Sequence, residues 1–328
     1  MERNDVFKRV QDALSTPPLL LIGSGCSATH GLPSMYELGE HLVTQLDSKY
    51  SSSGCWKELK SNLTEGKDLE TALKDITLPC DLLNDIRVET WKLVSEKDLE
   101  LLDRIVFNNE TLPLSHLIQF FVAPHPKHVD IITTNYDRVI EYACDIVSLP
   151  LCTGFDGYYS KKYTGVFRKS NCVNLMKVHG SLDVYRDEQE AVVSLPLCKE
   201  LPQGLHPEII TPGLSKYEAI LKGTPRQLLA QADSAILNSK AFLCIGYGFN
   251  DEQIQENIIQ RLRDGVPLVL LSRSVSEKTA RLLETNAKQY IFICKGAKPN
   301  TTCFCINRNC YTLAGEYWTI DGLMSIIS

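Results

Sequence analysis

Four short polar segments of this sequence carry residue types that can bind a ligand and act on it. Each segment directly follows an apolar run, which is where binding residues stand in many α/β proteins. The segments are Gly23-Ser24-Gly25-Cys26-Ser27, Thr133-Thr134-Asn135-Tyr136-Asp137, His179-Gly180-Ser181 and Gly246-Tyr247-Gly248-Phe249-Asn250-Asp251.

The first segment has the composition of a phosphate-binding turn. Gly23 and Gly25 permit a tight turn and the close approach of a phosphate to backbone N–H groups. Ser24 and Ser27 add hydroxyl groups to the same loop. An ordinary turn between a strand and a helix has the same composition, so this motif alone does not decide between the two interpretations.

The second and third segments offer groups for polar contacts and for proton transfer. The Asn135 amide can hold a ribose hydroxyl or a water, and the His179 imidazole can accept a proton from either near neutral pH. Gly180 is expected to leave room beside the histidine for a ligand. Simpler roles exist, because Asn135 and Asp137 can serve as turn or cap residues and a lone histidine is often structural.

The fourth segment follows the apolar run 241–245. Gly246 and Gly248 can let an adenosine lie across the edge of a sheet, and Asp251 can accept a hydrogen bond from a ribose. Asp251 is equally well placed to begin the next helix, and a plain glycine-rich loop remains the alternative for Gly246 and Gly248.

The order of apolar and amphipathic stretches predicts the elements that position these residues. Continuous apolar runs are typical of parallel strands buried on both faces, and here they alternate with segments of helical periodicity. We therefore predict an α/β fold, a Rossmann-like doubly wound parallel sheet. The predicted strands cover 19–22, 128–133, 173–178, 208–211, 241–245, 266–271 and 290–294.

Two regions stand apart from this alternation. Apolar residues recur at helical spacing between about 48 and 121, which predicts a helical insertion subdomain within a domain covering 1–295. Residues 296–328 are predicted as a C-terminal extension without an assigned structure. The segment 152–170 is rich in Gly, Tyr and Lys and is expected to form a loop with a hairpin.

Taken together and in this order, the polar segments resemble the sirtuin family. The sirtuin pattern is a Gly-Ala-Gly-x-Ser loop with Gly-Ile-Pro, then Thr-x-Asn-x-Asp, then His-Gly. This sequence has the first loop at Gly23–Ser27 with Gly31-Leu32-Pro33, then 133–137, then His179-Gly180. The resemblance implies NAD as the substrate, with Asn135 and His179 catalytic. It implies NAD contacts from a wider set of residues: Gly23, Ser24, Gly25, Ser27, Thr134, Asp137, Gly246, Gly248 and Asp251.

The departures from the sirtuin pattern narrow the expected chemistry. Sirtuin deacylases continue Gly-Ile-Pro with Asp-Phe-Arg, where this chain has Ser34-Met35-Tyr36. Sirtuin deacylases also have two C-x-x-C pairs that form a zinc module, whereas the corresponding part of this chain has the single Cys198. The chain therefore looks like the zinc-free sirtuin-like domains of bacterial antiphage defence systems. That likeness implies hydrolysis of NAD to nicotinamide and ADP-ribose, an NAD glycohydrolase activity.

The same likeness implies a homo-oligomer and a partner such as a HerA-type ATPase. Two alternatives stay open for the function: an NAD-dependent protein deacylase, and a regulatory module that senses NAD or ADP-ribose without turnover. A peptide deacylation assay would favour the first, and tight NAD binding without nicotinamide release would favour the second.

Composition and charge limit which other classes of function this protein can have. The formal net charge of -6 gives no electrostatic footprint for nucleic acid, so no direct nucleic-acid contact is expected. The apolar run 19–23 is too short for a signal core or a membrane span, which predicts a cytoplasmic protein without a membrane segment.

Of the 12 cysteines, Cys294, Cys303, Cys305 and Cys310 cluster near the end without C-x-x-C spacing. We therefore expect free thiols and no metal.

Overall fold

The computed structural model describes residues 2–73, 76–211 and 223–328. The strands are β1 (Leu19–Ile22), β2 (His128–Thr133), β3 (Leu151–Cys152), β4 (Phe155–Asp156), β5 (Lys161–Tyr163), β6 (Cys172–Lys177), β7 (Gly180–Asp187), β8 (Val192–Ser194), β9 (Leu205–Ile209), β10 (Phe242–Ile245), β11 (Leu268–Ser272), β12 (Tyr290–Lys295), β13 (Thr301–Ile306) and β14 (Asn309–Ala314). The helices are α1 (Arg3–Ala13), α2 (Ser24–Ser27), α3 (Met35–Tyr50), α4 (Gly54–Thr64), α5 (Leu69–Leu73), α6 (Cys80–Asn108), α7 (Pro113–Val122), α8 (Val139–Ile146), α9 (Gly223–Asn238), α10 (Glu252–Asp264), α11 (Glu277–Asn286) and α12 (Ile320–Ile327).

The main sheet has the strand order β14-β13-β12-β11-β10-β1-β2-β6-β3 within the described residues. All pairs from β12 to β3 are parallel. Successive side chains of β1 enter different cores, because Leu20 and Ile22 belong to one apolar cluster and Leu19 and Leu21 to the other. Burial on both faces is the reason for the continuous apolar run, and the predicted Rossmann-like fold is confirmed.

Helices cover both faces of this sheet. Leu117 of α7 and Val139 of α8 contribute to the cluster on one face, and Ile236 of α9 and Ile258 of α10 to the cluster on the other. Among the helices of the described residues, none combines the length and apolar character that a membrane-spanning segment requires.

The segment 48–121 is mainly helical, as its periodicity indicates. A separate apolar cluster joins α3, α4, α5 and the first turns of α6, with Trp56 fully buried among them. The 29-residue helix α6 also reaches the main core, where the Trp91 indole donates to the Leu182 carbonyl at 2.8 Å. One long helix thus fixes the helical cluster to the rest of the protein.

A second, antiparallel sheet has the order β4-β5-β8-β7-β9, in which β4 and β5 precede β6 in the sequence and β7, β8 and β9 follow it. The β4–β5 pair is the hairpin expected within 152–170. The sequence analysis missed the other strands of this sheet and predicted only a short strand from 208, whose continuation past 211 lies outside the described residues. The strands were missed because β8 has only three residues and because Asp183, Arg186 and Asp187 give β7 a polar composition.

The C-terminal extension completes the main sheet. Strands β13 and β14 form a hairpin that pairs with β12 in antiparallel fashion, and α12 packs beside α1 and α7. Cys305 and Cys310 lie opposite each other in this hairpin and form a disulfide. The expectation of free thiols is therefore wrong for these two cysteines, because strand pairing brings together residues whose spacing along the chain shows no metal or disulfide motif.

Candidate functional site

The four polar segments follow four neighbouring strands of the main sheet. Strands β10, β1, β2 and β6 lie side by side in that order and run parallel. The Gly23 N–H donates to the Ile245 carbonyl at 3.0 Å, and the Val178 N–H donates to the Thr133 carbonyl at 3.1 Å. These bonds hold adjacent loops together where they leave the sheet. The segments therefore share one edge, beside the point where the chain changes winding direction, which is a frequent ligand site.

The glycines of the first and fourth segments bring two loops into direct contact. A Cβ at Gly23 would lie 2.4 Å from the Gly246 carbonyl oxygen. Gly246 has a φ of +56°, and a Cβ there would lie 2.5 Å from the Cys26 nitrogen. The Gly25 N–H donates to the Gly246 carbonyl at 3.2 Å. Contact between loops thus explains these glycines, while Ser24 is exposed at the start of α2 and faces solvent.

Ser27 links the Asn135 and Asp137 side chains of the Asn-x-Asp motif. The Asn135 Nδ2 donates to the Ser27 Oγ at 3.0 Å, and the same hydroxyl hydrogen-bonds Asp137. Thr133 fixes the loop from the other side, because its Oγ1 accepts from the Asn135 N–H at 3.0 Å and donates to the Ile22 carbonyl at 2.8 Å. The result is a buried polar network that joins the ends of β1 and β2.

Burial sets the ionisation of this network. It raises the pKa of Asp137, and the positive charge of Lys177 and the hydrogen bond from Ser27 act against that rise. Asp137 also accepts from the Val139 N–H at 3.2 Å at the start of α8, so its capping role and its place in the site are compatible. Burial, with a smaller effect of Asp137, raises the pKa of the Cys26 thiol to about 12, so this cysteine is not a nucleophile at neutral pH.

Lys177 is a functional candidate that the sequence analysis missed. Its buried Nζ donates to the Tyr136 carbonyl at 3.1 Å, to the Asp137 carbonyl, and to Glu141 Oε1 at 2.8 Å. Burial raises the pKa of Glu141 to about 7, against the lowering effect of the lysine. A lysine within a mainly apolar predicted strand was the signal in the sequence. Through these bonds Lys177 holds the backbone of the Asn-x-Asp motif itself, at Tyr136 and Asp137.

His179 is paired with Asp251 across the sheet edge. The His179 Nε2 lies 2.5 Å from the Asp251 Oδ2, and both side chains are at most 7% exposed. The other Asp251 oxygen accepts from the Gln253 N–H at 3.1 Å and caps α10. The His179 carbonyl accepts from the Ile210 N–H at 2.9 Å. The histidine is therefore held at both its backbone and its ring.

The sequence predicts that Gly180 leaves room for a ligand, but the position that a Cβ would take there is occupied by the backbone of β9. Gly180 has a φ of +86°, and a Cβ there would lie 1.8 Å from the Glu208 carbonyl oxygen. The space beside it is filled by the backbone of β9, which pairs with β7 at this point. Glycine is required here because the second sheet packs directly against the turn that carries His179.

The predicted site residues thus fall into several groups. Hydrogen bonds join Ser27, Asn135 and Asp137, and a close contact joins His179 and Asp251. Thr134 is half-buried and stands in the chain between the end of β2 and Asn135. Gly248 is directed elsewhere, because its carbonyl accepts from Thr279 Oγ1 of α11 at 2.8 Å. Among the described residues, Gly248 therefore lies against a helix. The Ser27–Asn135–Asp137 network and the His179–Asp251 pair lie at the strand ends.

A cavity of about 490 Å³ lies next to this edge, between α8, β6, the second sheet and α9. Its charged lining includes Glu141, Lys177, Asp183 and Glu208. Lys177 and Gly180 line the cavity and stand on either side of His179 in the chain, whereas Asn135 and His179 are not among its lining residues. The sequence analysis missed this space because one of its walls is the second sheet.

Residues 129–291, from β2 to β12, match the family model of the SIR2-like domain. The matched span contains Asn135, Asp137, His179, Gly246 and Asp251, and it excludes the glycine loop after β1. None of the curated protein sequences matches the chain.

Solved sirtuin structures are similar to this chain. A Sir2 homologue mutant in complex with ADP-ribose has 15% identity and a TM-score of 0.48, over 88% of this chain and 89% of that chain. A structure described as the basis for the mechanism and regulation of Sir2 enzymes has 12% identity and a TM-score of 0.47, over 88% and 92%. Sir2 with a p53 peptide and NAD+ has 13% identity and a TM-score of 0.43, over 88% and 92%. The topology of the main sheet makes this an α/β protein with a Rossmann-like fold, and its residues 129–291 are similar to the SIR2-like domain.

Proposed function

We propose that this protein binds NAD as a substrate at the edge formed by β10, β1, β2 and β6, and that it hydrolyses the bond between nicotinamide and ribose. The observation that carries the proposal is the placement of Asn135 and His179 at the ends of neighbouring strands within a SIR2-like domain. Both side chains are buried and held by polar partners, as catalytic groups need to be.

Asn135 is proposed to hold the ribose or the attacking water. Its Nδ2 is fixed by Ser27, and its Oδ1 can accept from a hydroxyl or a water. Lys177 and Thr133 hold the backbone of the same loop, so the amide is fixed from several directions. Orientation of this kind is a large part of what an enzyme contributes to cleavage of a bond that already has a good leaving group.

His179 is proposed to accept the proton of the attacking water or of a ribose hydroxyl. We assign the proton of the neutral imidazole to Nε2, the nitrogen beside the Asp251 carboxylate, which leaves Nδ1 as the basic nitrogen. The bond from ribose C1′ to the nicotinamide nitrogen breaks, and its electron pair stays with nicotinamide. Water supplies the new oxygen on C1′, and its proton goes to His179. The products are nicotinamide, ADP-ribose and one proton.

The remaining NAD contacts are assigned by their place around this edge. The loop Gly23–Ser27 is proposed to bind the pyrophosphate through Ser24, Ser27 and its remaining N–H groups. Further contacts are proposed for Thr134, Asp137, Gly246 and Asp251, and for Gly248 through atoms other than its carbonyl oxygen, which is bonded to Thr279. The contact between Gly25 and Gly246 supports this assignment in part, because it places the first and fourth segments side by side.

The test is to incubate the purified full-length protein with NAD and to resolve nicotinamide, ADP-ribose and cyclic ADP-ribose by chromatography. We expect nicotinamide and ADP-ribose in equal amounts from the wild type, and at least a ~100-fold lower rate from Asn135→Ala and His179→Ala. His206→Ala is the matched control, because His206 is exposed on β9, and it should keep the wild-type rate.

Each other outcome points to a different class of function. Nicotinamide release that strictly requires an acyl-lysine peptide would replace hydrolysis with deacylation. Tight NAD binding without nicotinamide release under any condition would indicate a sensing module. Full activity in both Asn135→Ala and His179→Ala would overturn the assignment of the site.

We further propose that the protein works as a homo-oligomer in antiphage defence, together with a HerA-type ATPase. The support is the resemblance of its motifs to zinc-free sirtuin-like defence domains. Light scattering of the purified chain measures the oligomeric state, and NAD consumption with and without the ATPase measures the coupling. A monomer whose NAD consumption is unchanged by the ATPase would contradict this proposal and leave the hydrolase proposal standing.

A further inference from the structure

Four cysteines share one face of the main sheet at its C-terminal edge. Cys294 on β12 lies opposite Cys303 on β13, and Cys305 on β13 lies opposite Cys310 on β14. Cys303 and Cys305 are two residues apart in one strand, so their side chains point to the same face. Because residues directly opposite each other in antiparallel strands also share a face, all four sulfurs are on the same side.

One sulfur spacing in this cluster matches that of a bound thiophilic cation, and Cys305 and Cys310, joined in the disulfide, would have to separate on reduction to reach it. The sulfurs of Cys303, Cys305 and Cys310 all lie within 4.8 Å of one another, and the sulfurs of Cys303 and Cys305 are 3.7 Å apart. Two thiolates that each lie about 2.3 Å from a tetrahedral zinc are about 3.8 Å apart. The strand pairing thus creates a spacing that C-x-x-C motifs create in other proteins.

We propose that the reduced form of this cysteine cluster binds one Zn²⁺ through the thiolates of Cys303, Cys305 and Cys310. Cys294, opposite Cys303, or a water supplies the fourth ligand of the tetrahedron. Cys310 is exposed and the other two are half-buried, so the ion enters directly from solvent. The site lies away from the proposed NAD site, because β11 and β10 separate β12 from β1 in the sheet.

The disulfide makes zinc binding dependent on the redox state. While Cys305 and Cys310 are joined, they cannot act as thiolate ligands. A dithiol reductant supplies two electrons and two protons, which opens the disulfide to two thiols and leaves the reductant as its own disulfide. One Zn²⁺ then displaces the protons of the three thiols.

The test uses the full-length protein, reduced with a phosphine and desalted without oxygen. Zn²⁺ is titrated in competition with a chromophoric chelator, and Co²⁺ is titrated in parallel to detect thiolate-to-metal charge-transfer bands. We expect one Zn²⁺ per chain in the reduced protein and less than a tenth of that in the oxidised protein. Cys303→Ser should abolish stoichiometric binding, and it leaves the Cys305–Cys310 pair intact, so its fold can be checked by thermal unfolding.

Cys198→Ser is the matched control, because Cys198 is an exposed cysteine of the second-sheet region and should not affect binding. A double variant, Cys305→Ser with Cys310→Ser, should bind no Zn²⁺ in either redox state. The proposal is overturned if reduced wild type binds no stoichiometric Zn²⁺. It is equally overturned if folded Cys303→Ser, or the double variant, binds as the wild type does.

Discussion

The Nε2 atom of His179 lies 2.5 Å from the Oδ2 atom of Asp251, although the two residues follow strands that are separated by β1 and β2 in the sheet. The loop after β10 therefore crosses the edge of the sheet to reach the histidine. A carboxylate beside one ring nitrogen fixes the orientation and the tautomer of a histidine. We interpret Asp251 as a positioning residue for His179, in addition to its role as the cap of α10.

Asp251→Asn tests this role. Asparagine also caps helices well, so the fold should be kept while the negative charge beside His179 is lost. We expect the kcat for NAD cleavage to fall roughly 100-fold and the KM for NAD to change by only a few-fold. Asp264→Asn, at the exposed end of the same helix, is the control and should keep the wild-type kcat. A folded Asp251→Asn protein with unchanged kcat would rule out the positioning role.

The sequence was sufficient to predict the four strands that the site segments follow, and the edge of the sheet at which those segments lie. A parallel strand buried on both faces produces a continuous apolar run, and the polar residue after such a run must lie at the carboxyl end. For this reason the placement of Asn135 and His179 at the carboxyl ends of strands could be inferred without coordinates, whereas the adjacency of those two strands could not.

Contacts that depend on packing between distant segments could not be predicted in this way. The pairing of His179 with Asp251, the network around Lys177 and the close approach of Glu208 to Gly180 each join elements that have no fixed spacing in the chain. Residues such as Asp251 had two equally good local interpretations. The structure shows that capping and the contact with His179 are made by different oxygens of the same carboxylate.

Gly180→Ala should be strongly destabilising. The added Cβ would meet the Glu208 carbonyl at 1.8 Å, in a backbone with a φ of +86°. Gly66 has almost the same φ, +85°, with nothing within 4 Å of its Cβ position. Gly66→Ala should therefore lower the free energy of unfolding by only about 1 kcal/mol, which is the cost of a left-handed backbone with a side chain. Gly180→Ala should lower it by roughly 3 kcal/mol or more. Urea denaturation measures both. Equal losses would show that the packing of β9 is not the cause.

Glu141 should make the stability of the fold depend on pH. Its pKa is raised from 4.5 to about 7, so the folded state holds a proton that the unfolded state releases between these values. The contribution of this group is fully present below pH 4.5 and is lost as pH rises through 7. In Glu141→Gln, this loss should be absent. Urea denaturation of both proteins at pH 5 and pH 7.5 should show the wild type losing roughly 1 to 3 kcal/mol relative to the variant. A constant difference between the two proteins would contradict the raised pKa.

Asp98 should anchor the long helix α6 to the loop that carries the candidate site. This carboxylate is fully buried and accepts from the Arg138 N–H at 2.7 Å, from the Arg138 guanidinium at 2.7 and 2.9 Å, and from the Tyr142 hydroxyl at 2.6 Å. Removing it leaves a largely buried guanidinium without its main partner, so Asp98→Ala should cost about 3 to 5 kcal/mol in urea denaturation. Asp103→Ala, an exposed position on the same helix, should change stability by less than about 0.5 kcal/mol.

Arg138 directly follows Asp137, and the loop that it anchors also holds Asn135. The milder Asp98→Asn, assayed at a temperature where it stays folded, should therefore also slow NAD cleavage. Unchanged cleavage in that variant would show that α6 supports the fold without affecting the site.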